Sequence, residues 1–459
     1  MKRVATLVFL MLAASMGAAP VGVRANGFTH QMDTWVAAST SGATPNGMTA
    51  GSSCTDPGFV TDGIDDQVEI ESAFIDVLPG GTVHICAGTY YLTDSIEHFD
   101  QVSIVGAGMR RTVLNGGATF DENGAYAGGG GSAFFFGGDF SMRGLTVRGF
   151  WSDYGAVYGD SLVARRVRFD HNGNADDEGG AVWVGDVTVR DSVFAHNYSV
   201  LYGGAISTSR IVAIRTRFTK NEAVELGGAV DFSQSVDPSR FIDCTFTRNR
   251  AGIQGGALFS HMNSNVIIRR STFLRNRSVS HGGAARFYES TVRVVNSRFE
   301  RNRADDAGGA FDAYLGRLRV IESTFIRNRA ASNGGGFVSW EQERLAVRRS
   351  TFSANQAEDF GGGFMANSLV QPAQIFRSTF LENHAGWGGG LAMTGDVPLQ
   401  VRANAFRSNS SPYGGAVFLY TCGPSVDHAR ANRVRRNNTY IENRSRHAHP
   451  RVRFSIVPC

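Results

Sequence analysis

Short runs of alternating apolar and polar residues recur along this chain, and the pattern repeats every 24 to 28 residues over much of its length. In one unit Leu318 and Val320 alternate with polar neighbours, and Ser323 and Phe325 do the same one step out of phase. Alternation with a period of two is typical of a strand with one buried face, and the change of phase predicts a bend. A third apolar run follows a pair of glycines, as at residues 182–184. The pattern therefore predicts three short strands in each unit.

Ten units share the same residues at fixed positions: Phe, two residues, Asn, and then a glycine pair. A repeat of this length predicts a solenoid, and the two-residue alternation together with the glycines excludes helical repeats. In a parallel β-helix each unit forms one turn, so equivalent side chains stack about 4.8 Å apart. We expect a phenylalanine column in the core, an asparagine ladder at a bend, and glycines where the backbone needs positive φ. The phenylalanines are Phe169, Phe194, Phe218, Phe246, Phe273, Phe299, Phe325, Phe352, Phe380 and Phe406, and each asparagine follows three positions later.

The two ends differ from the repeats. Residues 65–78 predict an amphipathic helix with Asp65 as its cap and with Val68, Phe74 and Val77 on one side. From Thr421 onward the period is lost, so the last residues are predicted to fold over the other end. Caps of this kind cover the open apolar ends of a repeat array. The predicted organisation is a signal peptide (1–25), an N-terminal cap with the first turns (26–100), the β-helix (101–420) and a C-terminal cap (421–459).

The first 25 residues are typical of a secretory signal peptide. Lys2 and Arg3 begin it, residues 4–12 are apolar, and a small-x-small site ends at Ala25. We therefore expect an exported protein, secreted or held at the cell surface. Cleavage would remove three positive charges, including Arg24, and lower the formal charge from +4 to about +1. Bulk charge thus predicts no polyanion partner, nucleic acid included, and the apolar content of 42% argues against disorder.

Five cysteines in an exported chain indicate disulfides with one thiol left over. Cys54 and Cys86 bracket the N-terminal segment, and Cys422 and Cys459 bracket the C-terminal one, so we predict these two pairings. Cys244 occupies the small-residue position two before Phe246 in its repeat. It is predicted to be a buried structural thiol.

Arginines flank four successive repeat asparagines. In a β-helix they would form two parallel columns of guanidinium groups on the surface, which could bind an anionic polysaccharide or another acidic polymer. The alternative is a solvated face whose repulsion is relieved by Glu300, Asp305 and Asp306. The eight residues are Arg248, Arg250, Arg275, Arg277, Arg301, Arg303, Arg327 and Arg329.

The residue just before each glycine pair varies from repeat to repeat. Variation at a fixed position of a regular scaffold is typical of a position that can carry a binding site. Phe360, Trp387 and Tyr413 occupy this position on three successive repeats. They could stack against sugar rings, or they could only cover the adjacent turn.

Catalysis on a polysaccharide would need paired carboxylates, or a carboxylate cluster for Ca²⁺ together with a base. No cofactor is otherwise expected. The best candidate set comes from neighbouring repeats: Asp305, Asp306, Asp312, His281 and Arg286.

The motifs at both ends of the chain resemble known families. The later Phe-x-x-Asn and Gly-Gly-Ala repeats resemble those of the polymorphic outer membrane proteins. The N-terminal part resembles pectate-lyase-like β-helix proteins in Asp65-Asp66, Pro79-Gly80-Gly81-Thr82-Val83, Ala87-Gly88-Thr89-Tyr90, Val105-Gly106-Ala107-Gly108 and Gly144-Leu145-Thr146-Val147. The resemblance implies an exported, right-handed parallel β-helix, often displayed at the surface for adhesion. We therefore expect a binding or adhesion protein for a polysaccharide or cell-surface glycan, with a polysaccharide lyase, hydrolase or epimerase as the alternative.

Overall fold

The computed structural model describes residues 31–41, 51–120, 126–128, 131, 134–176, 178–233, 237–262, 264–395, 399–422, 428–445 and 452–457. Most strands in these residues belong to three parallel sheets; sheets 1 and 2 run the length of the solenoid, and sheet 3 extends over residues 151–330. The chain passes from sheet 1 to sheet 2, and in many turns through sheet 3, before it returns to sheet 1. Sheet 2 receives one strand per turn and has 14 of them. The predicted all-β parallel β-helix is confirmed.

Sheet 1 contains 24 strands, and most turns contribute two of them or one long one. They are Gln31–Ala37, Phe59–Val60, Val77–Ile85, Ile96–His98, Val102–Gly106, Phe134–Arg143, Val157–Arg165, Val182–Arg190, Ile206–Thr208, Arg210–Ile214, Val230–Phe232, Ser239–Ile242, Leu258–Ser260, Asn265–Arg269, Ala285–Val295, Phe311–Ile321, Phe337–Trp340, Arg344–Arg348, Phe364–Asn367, Ala373–Phe376, Leu391–Thr394, Leu399–Arg402, Val417–Cys422 and Val452–Val457.

Sheet 2 carries the repeated phenylalanines, and sheet 3 is built from strands of only two residues. The strands of sheet 2 are Gly88–Tyr91, Thr112–Asn115, Thr146–Arg148, Arg168–Asp170, Val193–Ala195, Arg217–Thr219, Thr245–Thr247, Thr272–Leu274, Arg298–Glu300, Thr324–Ile326, Thr351–Ser353, Thr379–Leu381, Ala405–Arg407 and Thr439–Ile441. Those of sheet 3 are Trp151–Ser152, Gly173–Asn174, Tyr198–Ser199, Glu222–Ala223, Arg250–Ala251, Arg277–Ser278, Arg303–Ala304 and Arg329–Ala330.

The remaining elements lie outside the three sheets. Helix α1 spans Gln67–Asp76, helix α2 spans His428–Arg436, and a 3₁₀ turn spans Ser39–Ser41. Two small antiparallel pairs join Gly51–Ser53 to Asp56–Pro57 and Thr119–Phe120 to Tyr126–Gly128. Among the described residues, neither helix has the length and apolar composition needed to cross a bilayer.

The partition of each turn into strands differs from the prediction in one respect. The bend between Val320 and Ser323 exists, because Glu322 adopts a φ of 50° there. However, the run after the glycines and the run containing Leu318 belong to the same sheet, and strand Phe311–Ile321 contains both. The third sheet comes instead from the two residues after each asparagine, which are too few for alternation to reveal.

The phenylalanine column fills the core as predicted. Successive rings from Phe169 to Phe406 stack with centroids 4.6 to 5.1 Å apart, and all ten are fully buried. Cys244 is buried beside this column, where its thiol donates to the Ala213 carbonyl oxygen at 3.3 Å. The predicted structural thiol is therefore confirmed.

The asparagine ladder is also confirmed. Asn302 donates from its backbone N–H and from Nδ2 to the Oδ1 of Asn328, both at 3.0 Å, and Nδ2 also donates to the Phe273 carbonyl oxygen. The same pattern repeats from Asn172 to Asn443. The glycine pairs bring neighbouring turns together: a Cβ on Gly309 would lie 2.2 Å from the Gly335 carbonyl oxygen. Any larger residue there would push the turns apart.

Each of the ten repeats bends twice through residues with positive φ that are not glycine. One such residue precedes each ladder asparagine, as at Arg301 with φ of 53°. The other lies between sheets 1 and 2, where acidic residues and arginines on adjacent turns form ion pairs: Asp191 with Arg215 at 2.6 Å, Asp243 with Arg270 at 2.7 Å, and Glu322 with Arg349 at 2.6 Å.

The N-terminal end confirms the predicted helix with shorter bounds. Ile70 and Phe74 of α1 are buried, but Val68 is 55% exposed, so its placement on the buried side was wrong. The residue before the first turn of α1 is Asp66, not Asp65, and its carboxylate accepts the Tyr91 N–H at 2.6 Å instead of capping the helix. The disulfide between Cys54 and Cys86 is confirmed.

At the C-terminal end the repeat continues for one turn more than predicted. Strand Thr439–Ile441 joins sheet 2, and the Tyr440 ring stacks on Phe406 at 5.3 Å. Val434 of α2 is buried in the core of the solenoid, so α2 contributes to the cap. The 24- to 28-residue period is lost as expected, since 34 residues separate the ladder partners Asn409 and Asn443, but this longer unit still forms one more turn. Residues 1–25 and Cys459, and with it the pairing predicted for Cys422, lie outside the described residues.

Candidate functional site

A strip of side chains runs along the outer face of sheet 1. It is formed by the second residue of each strand segment that follows a glycine pair, and neighbouring members are register partners in the parallel sheet. Side chains at adjacent strand positions alternate between the core and this outer face. We call it the outer strip; its members are Trp183, Ser207, Asp231, Phe259, Arg286, Asp312, Val338, Met365, Ala392 and Phe418.

The first half of the outer strip contains a cleft of about 340 Å³. Its lining includes Trp183, Ser207 and Asp231 from the strip and Glu178 from the loop before a glycine pair. His261, one turn after Asp231, completes the polar wall, with its Nε2 3.0 Å from an Asp231 carboxylate oxygen. Ser207 Oγ donates to Glu178 Oε2 at 2.6 Å. The cleft therefore combines two carboxylates, one imidazole and one indole ring.

Asp231 and His261 behave as one titrating unit. Asp231 is only 3% exposed, and its burial raises the pKa of the carboxyl against the opposing effect of His261. Burial would lower the pKa of His261, but the hydrogen bond and the charge of Asp231 outweigh it and raise that pKa. The pair therefore retains a proton to higher pH than either group would in water. A proton held in this way can be exchanged with a hydroxyl group bound in the cleft.

The middle of the outer strip contains a buried ion pair. Arg286 Nη1 lies 2.6 Å from Asp312 Oδ2, with the two residues 8% and 0% exposed. Trp340 Nε1 donates to the same carboxylate at 3.3 Å. Burial raises the pKa of Asp312, although the charge of Arg286 opposes this. Among the described residues, Asp312 Oδ1 and Arg286 Nε have no hydrogen-bond partner. Buried charged groups with unused hydrogen-bonding capacity are costly, which favours a function over a purely structural role.

Aromatic rings flank the outer strip. On one side Tyr288 and Tyr314 stack at 5.4 Å, and Trp340 is the register partner of Tyr314 on the next turn. The Arg286 guanidinium lies over the Tyr314 ring, 5.8 Å from its centroid. These rings are half-buried, so each leaves part of its surface open to solvent.

On the other side lie the predicted aromatics of the variable position. The ring of Trp387 stacks on Phe360 at 4.8 Å and on Tyr413 at 5.6 Å. Phe360 and Trp387 pack against a second apolar cluster formed by Val338, Met365, Ala392 and Phe418 of the outer strip. The three rings do form a column, and two of them, Phe360 and Trp387, also cover the adjacent strand segments. Their role in sugar binding stays a prediction.

The predicted catalytic set is divided by the structure. His281 Nε2 lies 3.5 Å from Asp306 Oδ2, beside the strip that holds Arg286 and Asp312. Asp305 is on a different face, where its carboxylate oxygens lie 2.7 Å from both Arg277 and Arg303. Consecutive loop residues point to opposite sides, so Asp305 does not belong with the other four.

Asp231 and His261 were missed by the sequence analysis. The sequence did contain an indication of this site, because Asp231 lies between two apolar residues in Val230-Asp231-Phe232. A charged side chain is unfavourable in a buried strand unless it has a function or a partner. Glu178 occupies the variable position before its glycine pair.

The arginine columns have the predicted geometry but different environments. Arg250, Arg277, Arg303 and Arg329 are register partners in sheet 3, and each has a carboxylate nearby. The shortest contacts are with Glu222 at 3.4 Å, Asp305 at 2.7 Å and Glu358 at 3.8 Å. Asp305 therefore relieves the repulsion between the arginines as expected, whereas Asp306 contacts His281 and Ser332 instead.

The column that precedes the asparagines is less neutralised. Arg301 lies 3.7 Å from Glu300. Within the described part of the chain, Arg248, Arg275 and Arg327 have no carboxylate at ion-pair distance, and all three are exposed. An anionic ligand would therefore find unpaired guanidinium groups mainly in this column.

The donor atoms of the predicted acidic residues lie apart from one another. In the described ranges, Asp305, Asp306 and Asp312 do not bring their donor atoms close enough together to hold one metal ion. Asp170, His171 and His196 do, with all donor atoms within 4.8 Å of one another. The Ca²⁺ ion expected for an enzyme stays a prediction.

Comparison with known proteins identifies the fold. The family model described as "right handed beta helix region" matches residues 177–352 and 228–409, which together span just over half of the chain. No curated protein matches the chain significantly.

Three solved structures are similar at low identity. They are the Agl-KA catalytic domain (13% identity, 96% of this chain and 70% of that one, TM-score 0.29), the Dettilon tailspike protein (11%, 88% and 68%, 0.27) and a mannuronic acid specific polysaccharide family 6 lyase from human gut microbiota (11%, 83% and 86%, 0.31). With TM-scores this low they carry no argument about the activity of this chain.

Proposed function

Since the chain belongs to the right-handed β-helix family, we propose that it is a polysaccharide-binding protein whose outer strip on sheet 1 holds an extended glycan. A β-helix offers a long regular face, and a polysaccharide is a ligand with a matching linear repeat. The protein would act after export, secreted or at the cell surface, as a binding or adhesion module. Export rests on the charged and apolar pattern of residues 1–25 alone.

The observation that carries the proposal is the buried Arg286–Asp312 pair with aromatic rings beside it. Tyr288 and Tyr314 present half-open faces to which the apolar face of a pyranose ring can bind. Asp312 Oδ1 and Arg286 Nε are buried without a hydrogen-bond partner in the described part of the chain, and a sugar hydroxyl or a uronate carboxylate would reach them once a neighbouring ring moved aside. Sites that hold small polar ligands combine apolar faces with a few such groups.

The test is a glycan and polyanion binding screen on the chain from residue 26, followed by paired substitutions. Each lost ring contact is worth about 1 kcal/mol, so Tyr288→Ala with Tyr314→Ala should weaken binding of the best glycan roughly 30-fold. Tyr91→Ala is the matched control, because Tyr91 is also half-exposed but lies on sheet 2. Equal affinity of the double variant and the control would refute the outer strip as the binding surface.

The predicted arginine columns give a second surface for the same ligand class. Replacing Arg248, Arg275 and Arg327 with serine removes the guanidinium groups that lack a carboxylate, and it should reduce binding of an anionic polymer and its salt dependence. If this triple variant loses binding while the tyrosine variant keeps it, the ligand lies on the bend before sheet 3 and not on sheet 1.

The alternative function is catalysis on an acidic glycan, and the Asp231–His261 pair in the 340 Å³ cleft favours it. Glu178 supplies the second carboxylate that hydrolysis of a glycosidic bond requires, and His261 could accept a proton in an elimination. Reducing-sugar and unsaturated-product assays on pectin, alginate and glycosaminoglycans, with and without Ca²⁺, decide the matter. Activity that disappears in Asp231→Asn would establish the enzyme, and its absence on every substrate would leave binding.

A further inference from the structure

We propose that Asp170, His171 and His196 form a binding site for a divalent transition metal, with zinc as the best match. The site lies at the bend after sheet 2 in two adjacent turns, and it is separate from the outer strip. The donor atoms of the three side chains lie within 4.8 Å of one another.

The backbone explains why the side chains meet. Asp170 ends strand Arg168–Asp170, and His171 follows it at the positive-φ position that precedes a ladder asparagine, with φ of 54°. His196 occupies the equivalent position one turn later, with φ of 56°. The ladder holds both backbones in register, because Asn172 donates to Asn197 Oδ1 from both its nitrogen atoms. The two imidazoles therefore stack, 4.5 Å apart and 16° from parallel.

The distances suit a metal ion. His171 Nδ1 lies 3.3 Å and His196 Nδ1 lies 3.4 Å from the same oxygen, Asp170 Oδ1. Zinc binds nitrogen and carboxylate oxygen at about 2.0 to 2.2 Å with tetrahedral angles, which places neighbouring ligand atoms about 3.4 Å apart. Both histidines direct the same ring nitrogen toward one carboxylate, and a cation held by all three groups requires the stacked rings to turn until both nitrogen lone pairs point at it.

The ligand types select the class of metal. Two imidazoles and one carboxylate favour Zn²⁺, Ni²⁺ or Cu²⁺ over Ca²⁺ and Mg²⁺, which prefer oxygen ligands. A cleft of about 210 Å³ borders Asp170 and His171, so a fourth coordination position can remain open to water. Arg168, 3.0 Å from Asp170 Oδ1, and Arg148 in the cleft wall oppose a cation and will lower its affinity.

The test is calorimetric titration of metal-free protein with ZnCl₂, comparing the parent with the His171→Ala/His196→Ala double variant. Alanine suits these positions, since Ala354 occupies the equivalent site in another turn with φ of 53°. The matched control is His384→Ala, an exposed histidine whose Nδ1 hydrogen-bonds Ser410. His447 and His449 lie outside the described residues and can bind zinc independently. The result that counts is therefore that the double variant binds one equivalent of zinc fewer than the parent.

A second readout separates this site from binding elsewhere. A ligand that binds only the folded state raises the melting temperature of the protein. A zinc ion at this site would also link two adjacent turns of the solenoid. Zinc should raise the melting temperature of the parent and of His384→Ala, and it should slow hydrogen exchange in peptides that cover residues 168–197. The proposal is supported if the double variant loses one equivalent and this protection together. It is overturned if the parent binds no zinc, or if the double variant keeps the stoichiometry and the exchange protection of the parent.

Discussion

Replacing Asn302 with alanine removes one amide from the middle of the asparagine ladder. The Asn302 side chain accepts hydrogen bonds from the backbone N–H and Nδ2 of Asn276, at 2.9 and 3.0 Å, and donates to Phe273 O and Asn328 Oδ1, both at 3.0 Å. Four hydrogen bonds are lost, and the buried Asn276 N–H is left without a partner. At about 1 kcal/mol for each bond, the expected loss of folding free energy is about 4 kcal/mol.

The measurement is urea denaturation followed by circular dichroism, with hydrogen exchange on peptides from residues 270–330. In a solenoid each turn contacts only its neighbours, so the loss should appear first as faster exchange in the turns around Asn276 and Asn302. Arg301→Ala is the matched control: it is the adjacent residue, it is exposed, and Ala354 occupies the same backbone conformation elsewhere. Its effect should stay within about 0.5 kcal/mol.

An Asn302→Ala protein with the denaturation midpoint and exchange rates of Arg301→Ala would refute this reasoning. It would mean that water satisfies the freed groups, and that the ladder is a result of the fold more than a cause of its stability.

Two further predictions concern titration. The folded state raises the pKa values of both His261 and Asp231, so it binds protons more tightly than the unfolded chain. The stability from His261 is present in full below its unfolded pKa of about 6.5 and is lost as pH rises through its folded pKa, whereas the contribution of Asp231 is lost at lower pH, as pH rises from about 3.8 through its own folded pKa. The melting temperature should therefore fall between pH 6 and 8 in the parent more steeply than in His261→Gln, and equal slopes would contradict the assignment. Burial raises the pKa of the Cys244 thiol to about 12, so iodoacetamide at pH 8 should label it only when the protein unfolds; rapid labelling of the native protein, measured by mass spectrometry, would show that the thiol is accessible.

The fold could be predicted from the sequence because each turn needs the same residue types at the same positions. Phe325 must stack on its neighbours, Asn328 must pair at the bend, and Gly334 needs positive φ, so these residues recur at fixed spacing. The additional C-terminal turn was missed because its unit, which contains α2, is 34 residues long and because Tyr440 takes the place of the phenylalanine. Sheet 3 was missed because two residues cannot display a period.

The site could be predicted only in part, because its groups come together through turn-to-turn stacking and through the direction of loop side chains. Arg286 and Asp312 were chosen correctly as neighbours, since they occupy equivalent positions in adjacent repeats. Asp305 was wrongly grouped with them, because no repeat pattern tells which way a loop carboxylate points. Asp231 and His261 come from positions in adjacent turns that do not correspond in the repeat.

The ion pairs at the bend between sheets 1 and 2 bear on how the chain finds the right order of its turns. Every repeat has the same phenylalanine in the core and the same asparagine in the ladder. A folding intermediate that skipped one turn would therefore still stack phenylalanine on phenylalanine and asparagine on asparagine. The skipped arrangement would place Asp191 against Asp243 and Arg215 against Arg270, and like charges directly opposite each other on neighbouring strands are unfavourable. The alternation of charge from Arg166 to Arg270 therefore favours the native order of these turns over an arrangement that skips one of them.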